Sequence, residues 1–395
     1  MRKGRGVSNI KVVNICLRSI VTDGWSYQDN LLPKYQKKLG NEVTVITSKY
    51  IRDKDADIVK STKINYVNND GIRVIRLDAR NNKHPHNKFV QYPNLIKTIK
   101  EQKPDVLFIH GLQFLDVKKI ASFCSENPNV RVFVDNHADF SNSATNWFSK
   151  KILHEIIWRK CASKIEPHVV KFFGVLPARC EFLKTVYKLP ESKIDLLPLG
   201  VDDEIRDNIN YKINNEDIRT RNNINNGDFL IVTGGKIDFA KKQSLQLMEA
   251  IKNIENKQIK LLVFGSVIEE LKTDFFNLVD GEKIQYLGWL DSYSAMEVFA
   301  ASDIAVFPGR HSVFWEQVAG LGIPLIVKYW EGTSHIDLEG NCEFLYDGTV
   351  EEIKEKIEYL LENPSVLANM KEVASEKGIE EFSYSKIAKQ SIAEC

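Results

Sequence analysis

What the chain lacks narrows the field first. Cysteine is sparse: Cys16, Cys124, Cys161, Cys180, Cys342 and Cys395 are scattered along the chain, and no two form a C-x-x-C pair. Neither a zinc site nor a disulfide framework is indicated, and a reducing cytoplasm is the compartment that fits. A charge bias is missing too. Lys+Arg of 54 against Asp+Glu of 53 leaves +1, which argues against nucleic acid or a wholly acidic partner, so any basic surface has to be local. No stretch reaches the ~18 uninterrupted apolar residues of a membrane span. The basic opening MRKGRG runs into an apolar stretch holding Lys11, Asn14 and Arg18, with no small-residue cleavage site, so it does not read as a signal peptide. The absence of G-x-x-x-x-G-K-[ST] removes a P-loop kinase, and the absence of a strand-linked G-x-G-x-x-G weakens a dehydrogenase. No metal-binding cluster is read, and no metal or other cofactor is expected.

What is present is a globular chain, 43% hydrophobic over 395 residues, a length suited to two domains of roughly 150–200 residues each. Apolar, β-prone runs at 10–15, 43–47, 72–77, 105–110 and 130–134 alternate with helical stretches such as SYQDNLLPKYQKKLG, where Pro33 should bend the helix. A second series follows at 229–233, 260–264, 284–287, 303–307 and 325–327, then helices at 350–361 and from Asn369 on, with Pro364 between. Such alternation predicts an α/β fold with two mostly parallel sheets carrying helices on both faces. The polar stretches 52–70 and 80–90 read as surface excursions, Ile194 to Asp202 as the interdomain connection. The expected division is 1–200, 201–378 and a final helix, 379–395, returning to the first domain. WFSKKILHEIIWRKCASK, from Trp147, reads as a basic amphipathic helix. It either packs on the core with a solvated face or touches an anionic membrane or lipid phosphate.

The chain is organised around FPGRHSVFWEQVAGLGIP, from Phe307, where a buried strand passes into a helix through a short polar turn. If the helix begins at Glu316, its unpartnered N–H groups attract an anion, and Glu316 or Gln317 stands at its mouth, placed to take a ribose diol. The alternative for Glu316 is a simple capping acid. After the strand FLIVT come two glycines and Lys236, then Lys241 and Lys242, a pattern that suits a diphosphate. Gly265 and Ser266 end the next strand, at the carboxyl edge where ligands bind in such sheets. In the first half, Gly24 to Asn30 forms a loop with Trp25 and Tyr27, which either pack or meet sugar, and His137 stands at a strand end.

Taken in order, these pieces resemble the twin-Rossmann (GT-B) glycosyltransferases, in particular the family-4-like group of bacterial surface-polysaccharide enzymes. LGNEVTV from Leu39 resembles the family's L-x-x-x-G-H-E-V, and KPDV to His110 its P-D-V-x-x-x-H. Leu189 to Asp202 resembles its hinge, Gly235 to Lys241 its G-R-L-x-x-x-K, Ile284 to Gly288 its I-x-F-L-G, Ala301 to Pro308 its A-D-V-x-V-x-P-S, and Phe382-Ser383-Tyr384 its F-S-W. The resemblance covers nearly the whole chain. It implies two Rossmann-like domains facing across a cleft, a nucleotide-diphosphate sugar held by the second, a glycan or lipid-linked acceptor by the first, and transfer without bound metal, with retention as the group's stereochemistry. It assigns Lys236 and Lys241 to the departing diphosphate, His137 to the donor sugar with His110 as the weaker match, and Asp139 to orienting His137 or to acceptor. Gly235, Gly265, Ser266, Gly309, Arg310, His311, Ser312 and Gln317 fall in the donor region; Gly24, Trp25 and Tyr27 fall where the first-domain loop meets acceptor. The departure is the family's Glu-x7-Glu: counted back from Gly322 and Pro324, the first Glu is Gly309 and the second Gln317, with Glu316 as substitute for the second. His311 or Ser312 is then expected to replace lost contacts. A nucleotide-sugar 2-epimerase on the same fold, or a non-catalytic scaffold, are the competing readings. The expected location is cytoplasmic, at the inner face of the membrane.

Overall fold

Short β-branched runs bounded by Gly, Pro or Asn form the strands of two parallel sheets, each in its own unit. The structure, a computed structural model, describes residues 10–53, 57–84, 86–212, 216–239 and 242–393. The first unit comprises the chain up to Pro198 together with the segment from Ile387 on; the second runs Leu199–Lys386.

In the first unit the strands are β1 (Lys11–Cys16), β2 (Glu42–Ser48), β3 (Tyr50–Arg52), β4 (Ile58–Lys60), β5 (Asn65–Val67), β6 (Arg73–Leu77), β7 (Val106–His110), β8 (Arg131–Asn136), β9 (Val169–Gly174) and β10 (Ile194–Leu196). The main sheet runs β10-β9-β8-β7-β1-β2-β6-β5, parallel except for β5 against β6, while β3 and β4 form a separate antiparallel ribbon. Every residue of β7 is buried, as expected of a central parallel strand covered on both faces.

The second unit has β11 (Phe229–Gly234), β12 (Ile259–Phe264), β13 (Ile284–Tyr286), β14 (Ile304–Phe307), β15 (Leu325–Lys328) and β16 (Cys342–Leu345), in the order β13-β12-β11-β14-β15-β16 and parallel throughout. Side chains alternate across this sheet, so Leu230 and Val232 enter one core while Ile231 and Val263 enter the other. Strand order reverses between β11 and β14, and a crevice opens at the carboxyl ends of such a pair. The first sheet has the same reversal between β1 and β7.

Several segments differ from expectation. β9 and β16, where Lys171 and Glu343 interrupt runs that are otherwise apolar, were not foreseen. The stretch 52–70 carries β4 and β5 rather than a plain excursion, and between β10 and β11 lie helices Asp203–Lys212 and Glu216–Arg221. From Ser149 to Trp158 the helix is wound wide, before a tighter turn Arg159–Ile165. The wide winding buries Ser149, Leu153, His154 and Trp158, a step longer than 3.6. Trp147 and Phe148, just before this segment, and Ile156 within it are exposed at 71%, 56% and 57%.

Candidate functional site

The carboxyl edge of the second sheet gathers most of the donor candidates. Gly235 and Gly265 follow β11 and β12, with φ of +118° and +121°, and a Cβ on Gly265 would lie 1.9 Å from the Gly235 carbonyl oxygen. These glycines are required by each other. The two loops pair, with Ile237 N donating to Ser266 O at 2.7 Å and Ile268 N to Ile237 O at 3.1 Å, and Tyr286 Oη donates to Gly265 O at 2.6 Å. The close approach read as room for an anion is thus first a loop-to-loop contact. It leaves Ser266 and Lys236 exposed at the rim, with Lys236 Nζ 3.8 Å from Asp238. Lys241 lies outside the described residues. A cavity of about 450 Å³ lined by Arg219, Asp303 and Lys371 lies at the opposite end of the strands, since Asp303 precedes β14. There Asp303 joins Arg219, Lys371 and the Leu230 amide, which makes it a structural anchor.

The turn after β14 is built differently from the expectation. The helix starts at Phe314 and ends at Gly320, two residues earlier than read, because Phe314 inserts between Phe264 and Phe299 at ring separations of 5.7 and 5.3 Å. Glu316 and Gln317 therefore sit inside the first turn, not at its mouth, and Gln317 N already donates to Val313 O at 3.1 Å. Glu316 is fully buried, and its Oε1 lies 2.8 Å from His311 Nε2 and 2.9 Å from His335 Nε2. Burial alone would raise this carboxyl's pKa, but His311 and His335 outweigh it and hold it down at about 2. The ribose role given to Glu316 is corrected accordingly: its oxygens face protein, and no ribose reaches them in this arrangement. Gln317 is buried at 5% exposure, Gly309 is buried with its carbonyl accepting from Trp330 Nε1 at 3.2 Å, and Arg310 is exposed. His311 and Ser312 are half-buried.

In the first unit the carboxyl edge holds a second polar cluster. His110, at the end of β7, is buried; its Nδ1 lies 2.9 Å from Asp135 Oδ2 and 3.3 Å from Asp29 Oδ1, and its Nε2 3.2 Å from Asn14 Oδ1. Asn14 Nδ2 donates to Gln36 Oε1 at 2.8 Å, and Gln36 Nε2 to Ser391 Oγ at 3.1 Å. A carbonyl oxygen only accepts, so Nε2 bears a proton toward Asn14, while Nδ1 lies beside the two carboxylates with no hydrogen bond among the described residues. Burial opposes a charge on this ring, yet Cys16 and Asp135 beside it move its pKa well above the ordinary value. Cys16 itself is pushed up to about 12 by burial, so near neutrality the carboxylates are the anions that matter.

His137 stands one residue past β8, its side chain 42% exposed, with Nε2 3.4 Å from Asp135 Oδ2. Of the two histidines it alone is open to a ligand. Asp139 does not orient it: that carboxylate takes the Ser141 hydroxyl and amide and Arg179 Nε at 3.1 Å, and it serves its own loop. Asp135, absent from the sequence reading, is the acid beside His137. The loop with Gly24 is pinned by Asn30 Nδ2 donating to Thr22 O and Trp25 O, and by buried Arg76 donating to Val21 O. Trp25 and Tyr27 lie with ring centroids 5.6 Å apart, and Tyr27 is 54% exposed.

Two parallel sheets with ligand-type loops at their carboxyl ends define the twin-Rossmann, GT-B class. A sequence model described as Glycosyltransferase Family 4 matches residues 31–205, and one described as Glycosyl transferase-like matches residues 242–393. The chain belongs to the family-4-like GT-B glycosyltransferases and is an enzyme of that kind. No curated protein matches it in sequence. Among solved structures it is similar to a glycosyltransferase from Rickettsia africae ESF-5, with a TM-score of 0.68 at 15% identity over 98% of this chain and 97% of that one. It is also similar to Anabaena Alr3699/HepE in complex with UDP and glucose, TM-score 0.64 at 13% identity over 98% of each chain. WaaG, a glycosyltransferase involved in lipopolysaccharide biosynthesis, gives 0.63 at 14% over 96% of this chain and 99% of that one.

Proposed function

We propose that the protein transfers a sugar from a nucleotide-diphosphate donor, with a uridine base, to a glycan or lipid-linked acceptor in surface polysaccharide assembly, retaining the anomeric configuration. The observation that carries the reading is the grouping of Gly235, Lys236, Gly265, Ser266 and the 309–312 turn around the β11/β14 reversal. There Lys236 and Lys241 neutralise the leaving diphosphate without a metal, and Arg310, His311 and Ser312 contribute in place of the missing first acid. In the first unit, His137 held by Asp135 faces the donor sugar, and the loop with Gly24, Trp25 and Tyr27 takes acceptor. The exposed Trp147, Phe148 and Ile156, flanked by Lys150 and Lys160, rest on an anionic membrane at its cytoplasmic face. The uridine base is supported by HepE's complex with UDP, and the polysaccharide pathway by the likeness to WaaG.

A thermal-shift series against UDP, GDP, ADP and their sugar conjugates tests this, since a ligand of the folded state raises its melting point. A shift with UDP and UDP-sugars, followed by slow hydrolysis of one UDP-sugar without acceptor, is expected. No shift with any nucleotide would overturn it and favour a scaffold; recovery of an isomerised nucleotide sugar would favour an epimerase.

A further inference from the structure

Three ligating side chains from separate places in the second unit meet behind the 309–312 turn. His311 comes from the turn, Glu316 from the first turn of the helix, and His335 from the short turn Ser334–Ile336 after β15. Both imidazole Nε2 atoms face one carboxylate oxygen, at 2.8 and 2.9 Å, and the ligating atoms all lie within 4.8 Å of one another. Glu316 is fully buried and the His335 side chain is 3% exposed. Glu316 Oε2 is equally buried and has no hydrogen-bond partner among the described residues. Hydrogen bonding accounts for half of this arrangement. It crowds two N–H groups onto Oε1 and leaves the second oxygen of a buried carboxylate with no donor, which native interiors avoid.

We propose that His311, Glu316 and His335 form a binding site for a divalent transition-metal ion of the zinc type. Two imidazoles and a carboxylate are a donor set suited to Zn²⁺ and its first-row neighbours, whereas Ca²⁺ and Mg²⁺ require mostly oxygen. Bonds of about 2.0–2.2 Å set tetrahedral ligand atoms roughly 3.3–3.6 Å apart around an ion, so the two imidazoles have to move outward from Oε1 to admit it. The ion takes the place of the two imidazole protons and, with the carboxylate bidentate, gives Oε2 a partner. Three protein ligands leave a further position for water, on the side where His311 is 14% exposed. Bound there, the ion ties the turn, the helix and the 334–336 segment together. This role is structural: the ion braces the turn that the transferase reading places at the donor, and its binding is measured without any donor.

The test is a titration of chelator-stripped, full-length protein with Co²⁺, followed by its visible ligand-field absorption, with Zn²⁺ in competition and melting temperature as a second readout. One equivalent of Co²⁺ should bind saturably, Zn²⁺ should displace it and raise the melting temperature, and Glu316→Gln and His311→Gln should each weaken binding at least ~100-fold. His311→Gln, at a half-buried position, keeps the test decisive if Glu316→Gln fails to fold. Cys16, Asp29 and His110 also lie close enough together to hold an ion. A sulfur-to-cobalt charge-transfer band that disappears in Cys16→Ser would place the ion there and overturn the proposal. Absence of saturable binding by the native protein, or unchanged binding in both variants, would overturn it too.

Discussion

Glu316 shows how a residue's surroundings override its position in a motif. Its folded pKa of about 2 lies below the ~4.3 of an unfolded glutamate. It therefore adds stability that is present above pH ~4.3 and lost as pH falls toward 2. Glu316→Gln should lower the urea midpoint at neutral pH, by about 2–3 kcal/mol, since a buried charge that accepts two hydrogen bonds is replaced by a neutral amide. The gap between native and variant should narrow between about pH 5 and 3; a gap constant with pH would mean the carboxylate is not ionised in the fold. Lys241→Ala should slow turnover on the order of 10²–10³-fold if it stabilises the departing diphosphate, measured by nucleotide release, and an unchanged rate would remove it from the site. His137 and the glycines at the strand ends were legible in position, because the carboxyl end of a strand can be read from where its apolar run stops; burial was not, as His110 at the same edge shows. Asp135 and His335 were not. Apart from His137, two places beyond Asp135, their partners are His110 for Asp135 and Glu316 for His335, which other elements bring to them.

At the scale of elements, most strands were readable as apolar runs even where a charge falls among them, as Arg76 does in β6, while β9 and β16 were passed over. The start of the helix after β14 was misread for another reason. Phe314 is drawn back into the core by Phe264 and Phe299, and tertiary packing sets a boundary that the polar turn does not mark. The paired loops after β11 and β12 make a sharper prediction. Gly265→Ala places a methyl group against the Gly235 carbonyl at an unfavourable φ, and should cost about 2–4 kcal/mol, read as a fall in denaturation midpoint. Donor affinity should fall with it, because Lys236 and Ser266 are carried on those loops. A neutral substitution would mean the loops are not paired in solution.

For the molecule as a whole, the two parallel α/β units were legible because each repeats one pattern of burial, whereas the order of strands within each sheet is set by pairings that no local pattern marks. The apolar surface at Trp147, Phe148 and Ile156 was legible in composition but not in orientation, since periodicity alone does not tell which apolar side chains of this helix face out. Trp147→Ala with Phe148→Ala should reduce sedimentation with anionic vesicles at least as much as Lys150→Ala with Lys160→Ala, and high salt should weaken only the charge-dependent part. Equal sedimentation of all variants would leave the patch without a membrane role.

The closing helix, Tyr384–Ser391, bears on how the chain is made. Ser391 completes the polar line that runs from Asp135 through His110, Asn14 and Gln36. The unit translated first thus has an interior whose last partner leaves the ribosome only after the whole second sheet. Domains ordinarily fold in order of synthesis; here the first must wait for the second, and an interrupted translation yields an unfinished N-terminal half.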